Sequence, residues 1–189
     1  MRRNYNRIES ERTLSRRRTD ELVKRREALT ALVGRLVEEE RARKERAEFQ
    51  APVRATGILK RGLPWPVEGG VVLRRFGVIV DARSRAEEVS NGMDIRADAG
   101  APVQAVADGR VVHTGWLRGF GRMVIVDHGD GHHTLMAHLQ SVTVQKSDVV
   151  KRGQTIGFVG DTESENGPKL YFELRVNGRP HDPAPFLRR

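Results

Sequence analysis

From Trp65 to the C-terminus the chain offers no helical periodicity. It offers short apolar, β-branched runs broken by turn residues: "VVLRRF", "APVQAVADGRVVHTGW", "GRMVIVDHGDGHHTLMAHL", "QTIGFVG" and "KLYFELRVNGRPHDP". Runs of this length and composition read as strands. "VADGRVV" carries Asp108-Gly109 and "RVNGRP" carries Asn177-Gly178, both read here as hairpin signals. Glycines recur every few residues, as in small barrels and sandwiches with tight corners. The expectation is a mainly β, antiparallel, sandwich- or barrel-like domain over residues 65–189.

Residues 1–49 have the opposite texture. They contain no proline and one glycine, Gly34, and are rich in Arg, Glu, Leu and Ala, which favour helix. Ile8, Leu22, Leu29 and Leu36 share one seven-residue spacing, with Leu32 and Val33 between the last two and Ser15 at the missing position. Such a thin stripe on a charged helix reads first as a solvated helix or a short coiled-coil end. The alternative is a helix that folds back over the second domain. Residues 50–64, "QAPVRATGILKRGLP", hold two prolines and two glycines and read as a linker.

The net charge of +9 is spread over both parts: 15 Lys and Arg face 10 Asp and Glu in residues 1–50, and 19 face 15 in the rest. Anionic partners such as cell-wall polymer, phospholipid or nucleic acid fit this balance, which does not choose among them. Acidic residues interleaved among the N-terminal arginines argue against nucleic acid. There is no cysteine, so disulfides, thiolate metal sites and a cysteine nucleophile are excluded. No apolar run approaches the ~20 residues of a membrane span. "MRRNYNRIESERTLSRRR" has positive charge without a following apolar stretch and does not read as a signal peptide.

"DHGDGHH" sets His128, His132 and His133 around a turn beside Asp127 and Asp130. These read as exposed loop residues rather than ligands, since a turn tip lacks the surrounding groups that orient a metal ligand. His113 and His181 stand alone and read as structural or surface residues.

Four stretches, "NGMDIRADAGAPVQAVADGRVV", "GFGRMVIVDHGDGHHTLMAHL", "KRGQTIGFVG" and "GPKLYFELR", resemble in order and spacing the LytM or M23 zinc metallopeptidase domain, the lysostaphin-like fold. The resemblance spans about residues 64–187. Active members cut peptidoglycan cross-links, and the resemblance implies where their ligands would fall. A histidine four residues before an aspartate and the second histidine of an H-x-H pair hold zinc. The first histidine of the pair, and one from a Y-A-H-L-like strand, assist the water. Here the aspartate is Asp94, the preceding position is Ser90, and the pair is Lys169-Leu170-Tyr171. Only His138, in "MAHL", keeps the catalytic-type histidine. Serine is a poor neutral ligand, a protonated lysine has no lone pair, and a tyrosine would need to lose a proton of pKa near 10. The expected domain is therefore degenerate, with no bound metal or cofactor and no catalysis.

Within the family, "WPVEGG", "LRRFG", "NGMDI", "ADGRVV", "WLRGFGRMVIVDHG" and "KLYFELR" are most similar to the EnvC-type murein hydrolase activators. That resemblance implies a non-catalytic, periplasmic activator of a peptidoglycan amidase in cell division. The dead groove would receive the amidase's regulatory helix, with Phe120, Met123 and Met136 as apolar contacts and Tyr171 as an amphipathic anchor. Arg175 shares the strand face of Lys169 and Tyr171 and is expected to pair with a carboxylate or carbonyl of that helix. Asn91, Asp94, His138 and Lys169 complete the groove. Asp94 departs from the EnvC-type pattern, which carries an apolar residue there. The N-terminal segment would be the last piece of a coiled coil that contacts a membrane division complex, or a helix that occludes the groove. The competing readings are a zinc endopeptidase with unusual ligands and a non-enzymatic peptidoglycan-binding scaffold.

Overall fold

A computed structural model describes residues 2–46, 62–80 and 87–188, with side chains over 16–40, 62–78 and 89–188. The linker expected at 50–64 lies outside these residues except for its last three.

Helix α1 (Arg2–Arg46) precedes the β domain. The strands follow as β1 (Leu63–Pro64), β2 (Val71–Arg74), β3 (Gly77–Val80), β4 (Glu87–Ser90), β5 (Met93–Arg96), β6 (Pro102–Gln104) and β7 (Gly109–Leu117). Then come β8 (Gly121–Asp127), β9 (His132–Val142), β10 (Val149–Val150), β11 (Thr155–Val159), β12 (Lys169–Val176), β13 (Arg179–His181) and β14 (Leu187–Arg188). The main sheet runs in the order β10-β7-β8-β9-β12-β5-β2, with β11, β6 and β13 branching from it. Its pairings are antiparallel, and the path stays open instead of closing into a barrel. β1 pairs in parallel with β14, so the two ends of the β domain meet.

The alternation of side chains along a strand divides the sheet into two faces. One face buries Val124, Val126, Met136, Leu170, Phe172, Met93 and Ile95 in the main core. The other face presents Met123, Ile125, Leu135, Ala137 and Tyr171, and helix α1 lies on it.

The docking follows from the helix pattern. Leu29, Leu32, Val33, Leu36, Val37 and Glu40 recur at three- and four-residue steps, which places them on one stripe. Leu29, Val33 and Leu36 are buried against the sheet, and Leu32 and Val37 are partly buried. Burial of such side chains is worth roughly 1.5–3 kcal/mol each, far more than the helix's ion pairs. Those pairs mark the ends of the contact: Glu21 lies 3.9 Å from Arg118 and Glu39 3.7 Å from Lys146. Over residues 29–37 the helix is therefore not the solvated helix that its charge suggested. Tertiary burial of one apolar stripe outweighs the polar remainder.

Of the two dipeptide turn signals, Asn177-Gly178 joins the paired strands β12 and β13, and both residues have positive φ, 50° and 77°, as a type I′ turn requires. Asp108-Gly109 does not make a hairpin, because β6 pairs with β11 and not with β7. Gly109 answers a different need: a Cβ there would lie 2.6 Å from the Asp127 carbonyl and 2.8 Å from the His128 ring.

Candidate functional site

Strand β12 carries the centre of the helix-covered face. Lys169, Tyr171, Glu173 and Arg175 alternate onto it, and all four are buried. Tyr171 pairs across the sheet with Asp94 on β5 and with Ala137 on β9. Phe120 meets the Tyr171 ring edge-on, with centroids 5.2 Å apart, and Met123 lies in the same buried cluster as Leu29 and Val33 of the helix.

Each residue at a position where the resemblance puts zinc chemistry has other bonding. Lys169 Nζ donates to Asp94 Oδ2 at 2.9 Å, and Arg74 Nε stands 3.4 Å from the same oxygen. Two cations thus converge on one buried carboxylate. The Ser90 hydroxyl donates to the Gly92 carbonyl at 2.9 Å. The Tyr171 hydroxyl donates to Glu173 Oε2 at 2.7 Å. Burial, and then the nearby Glu173 carboxylate, hold the Tyr171 phenol well above its ordinary pKa, so it is neutral and no phenolate ligand. The residues present do not fit a zinc ion at this place: a fixed ammonium and a guanidinium already neutralise Asp94, and the two hydroxyls are committed as donors.

His138 is held as a neutral imidazole. Its Nδ1–H donates to the Thr162 carbonyl at 2.8 Å, and burial, the largest influence, lowers its pKa. It has φ 61° and sits in a bulge, since Val124 pairs with Met136 while Arg122 pairs with Leu139. That extra residue aims both Ala137 and His138 at the Tyr171 side, the His138 ring centroid lying 6.4 Å from Tyr171.

Two expected groove contacts are corrected. Met136 is fully buried in the main core on the opposite face, because it pairs with Phe172 and Val124 and the bulge follows it. Arg175 does not offer its guanidinium outward. Nε donates to Glu173 Oε1 and Nη1 to the Gly178 carbonyl, leaving the side chain 2% exposed. Asn91, at the bend before β5, is half-buried.

The turn histidines are also corrected, since His128 and His133 are buried. His128 Nδ1–H donates to the Asp108 carbonyl at 2.8 Å, and Nε2 accepts the Thr134 hydroxyl at 2.8 Å. Burial lowers its pKa to about 4, so it is a structural clamp. His133 lies in a cross-strand row with Asp127 and Arg175. Its Nε2 is 3.5 Å from Glu40 Oε2 of the helix and 3.6 Å from Asp127 Oδ1. Sequence reading missed Glu40; the available signal was that it continues the apolar stripe past Leu36 and Val37.

Residues 88–183 match the model of Peptidase family M23, and the chain belongs to that family. It is 40% identical over 125 residues to the murein hydrolase activator EnvC of Escherichia coli, covering 66% of this chain and 29% of EnvC. It is 36% identical over 150 residues to the cell division protein DipM of Caulobacter vibrioides, covering 76% of this chain and 23% of DipM. The chain thus spans less than a third of either relative. Among solved structures, a zinc-containing peptidase from Vibrio cholerae superposes with a TM-score of 0.58 at 30% identity, over 65% of this chain and 39% of that one. The chain is thus similar both to a murein hydrolase activator and to a zinc-containing peptidase.

Proposed function

We propose that the chain is a non-catalytic activator of a peptidoglycan amidase in cell division, acting in the periplasm. The amidase's regulatory helix would bind the β-sheet face around Tyr171, Phe120 and Met123. The observation that carries this reading is that the face already accepts a helix: α1 places Leu29, Val33 and Leu36 on it. An apolar sheet face with an aromatic anchor suits an amphipathic helix read at three- and four-residue steps.

In this reading α1 is the resident occupant and the amidase helix its competitor. Removing that helix from the amidase's own active site shifts the enzyme towards its open state. Asn91, Asp94, His138 and Lys169 border the receiving face and help to orient the incoming helix. The relatives' names support activation and cell division. Among the described residues no helix is long and apolar enough to cross a membrane. Contact with a membrane division complex would use the part of α1 beyond the docked stripe.

Binding of the zinc amidase from the same cell tests this. A Leu29→Asp chain, with α1 released, is expected to bind the amidase, and adding Tyr171→Ala is expected to weaken binding at least tenfold. Equal binding with and without Tyr171→Ala would overturn the reading. Peptidoglycan cleavage by the chain alone, abolished by a chelator, would instead favour a zinc endopeptidase. Sedimentation with peptidoglycan and no amidase binding would favour a cell-wall scaffold.

A further inference from the structure

We propose that Glu40, Asp127 and His133 form a site for a divalent transition-metal cation, zinc being the best fit, that ties helix α1 to strands β8 and β9. The site is separate from the position around Asp94 that the family would use.

Three elements bring one donor atom each to within 4.8 Å of one another: a carboxylate from α1, a carboxylate from the end of β8 and an imidazole from the start of β9. The separations of 3.5 and 3.6 Å from His133 Nε2 are long for a hydrogen bond. They match a metal better, because a tetrahedral zinc with bonds of about 2.0–2.2 Å holds its ligand atoms roughly 3.3–3.6 Å apart. His133 supplies an independent indication. Its side chain is 6% exposed, and both ring nitrogens are buried without a hydrogen-bond partner. Leaving a buried polar atom unpaired is costly, and a metal bond would satisfy Nε2, the nitrogen that faces the two carboxylates.

The surroundings agree. Asp127 Oδ1 accepts the Gly129 N–H at 2.9 Å, which fixes its orientation as ligating carboxylates require. Arg175, the cross-strand neighbour of His133, is turned to Glu173 and the Gly178 carbonyl and so places no cation bond on the trio. A cavity of about 290 Å³, also lined by Val37, Gly131, Asn177 and Gly178, opens on the three side chains and leaves room for a water at the fourth position. Imidazole with carboxylates suits zinc, whereas calcium and magnesium favour all-oxygen sites.

Because one ligand comes from α1 and two from the β domain, an occupied site holds the helix on the sheet. Its consequence for activation, a metal-dependent latch, rests on the activator reading; the metal site does not. The test is calorimetric titration of the metal-stripped full chain with zinc at pH 7, alongside Glu40→Gln, His133→Gln and Asp94→Asn. One equivalent is expected in the parent and in Asp94→Asn, at least tenfold weaker in the other two. Zinc is also expected to raise the melting temperature of the parent and not of Glu40→Gln. No zinc uptake, or equal uptake by Glu40→Gln, would overturn the site, as would loss confined to Asp94→Asn. Should His133→Gln fail to fold, the partly exposed Glu40→Gln decides. A zinc site intact in a chain that never binds the amidase would sink the activator reading alone.

Discussion

The Lys169 ammonium sits 2.9 Å from the Asp94 carboxylate, with the two side chains only 10% and 7% exposed. The resemblance puts a water-assisting histidine of the metal-dependent members at the position of this lysine, which here makes Asp94 half of an ion pair. A buried pair of this kind is weak support for stability as a whole, but removing one partner strands the other.

Lys169→Met is therefore expected to cost about 3 kcal/mol, with Arg74 softening the loss. Lys169→Met combined with Asp94→Leu should recover most of it. Urea unfolding of the three variants measures this, and a single variant as stable as the parent would show that the pair is dispensable.

His128 gives a pH prediction. Its folded pKa is lowered to about 4 from 6.5, so below pH 6.5 the unfolded chain binds a proton that the folded chain refuses. Its contribution is complete above pH 6.5 and is lost as pH falls towards 4, by about 3 kcal/mol in all. The lowered pKa of His138 acts with the same sign. The raised carboxyls of Asp127 and Glu173 act oppositely. The stability difference between the parent and His128→Gln isolates the histidine, and it should shrink steadily from pH 6.5 to pH 4. A pH-independent difference would contradict the clamp.

Gly92 is packed beneath the site. A Cβ there would lie 2.5 Å from the Phe172 carbonyl oxygen and 2.9 Å from Cζ of Tyr171. Gly92→Ala must push β12 or the tyrosine ring aside, at a cost of about 1–3 kcal/mol. Thermal unfolding and the near-ultraviolet signal of Tyr171 would both register it; an unchanged protein would mean that the contact yields freely.

Much of this was legible in the chain. Alternation along "KLYFELRV" put Lys169, Tyr171, Glu173 and Arg175 on one face, and Asn177-Gly178 marked a hairpin, because both signals are local. Met136 was misplaced because a bulge at Ala137 and His138 interrupts the alternation, and no residue type announces a non-glycine φ of 61°. Asp108-Gly109 resembled a hairpin because a glycine needed for close approach to Asp127 looks the same as one needed for a turn. The burial of His133 and Asp127 depends on a helix about 90 residues earlier in sequence arriving over them, a tertiary event that an apolar stripe on that helix does not specify. The same holds for Arg175, whose bond to Glu173 competes with any bond outward.

In the proposed activator, helix α1 occupies the face that an amidase helix would use. Dye release from labelled peptidoglycan by the zinc amidase, with the parent chain or with Leu29→Asp, tests it most directly. Burying a charge where Leu29 is 0% exposed should undock the helix. Release is expected to be several-fold faster with Leu29→Asp than with the parent, and absent with either chain alone. Equal release with both chains, the β domain remaining folded, would contradict it.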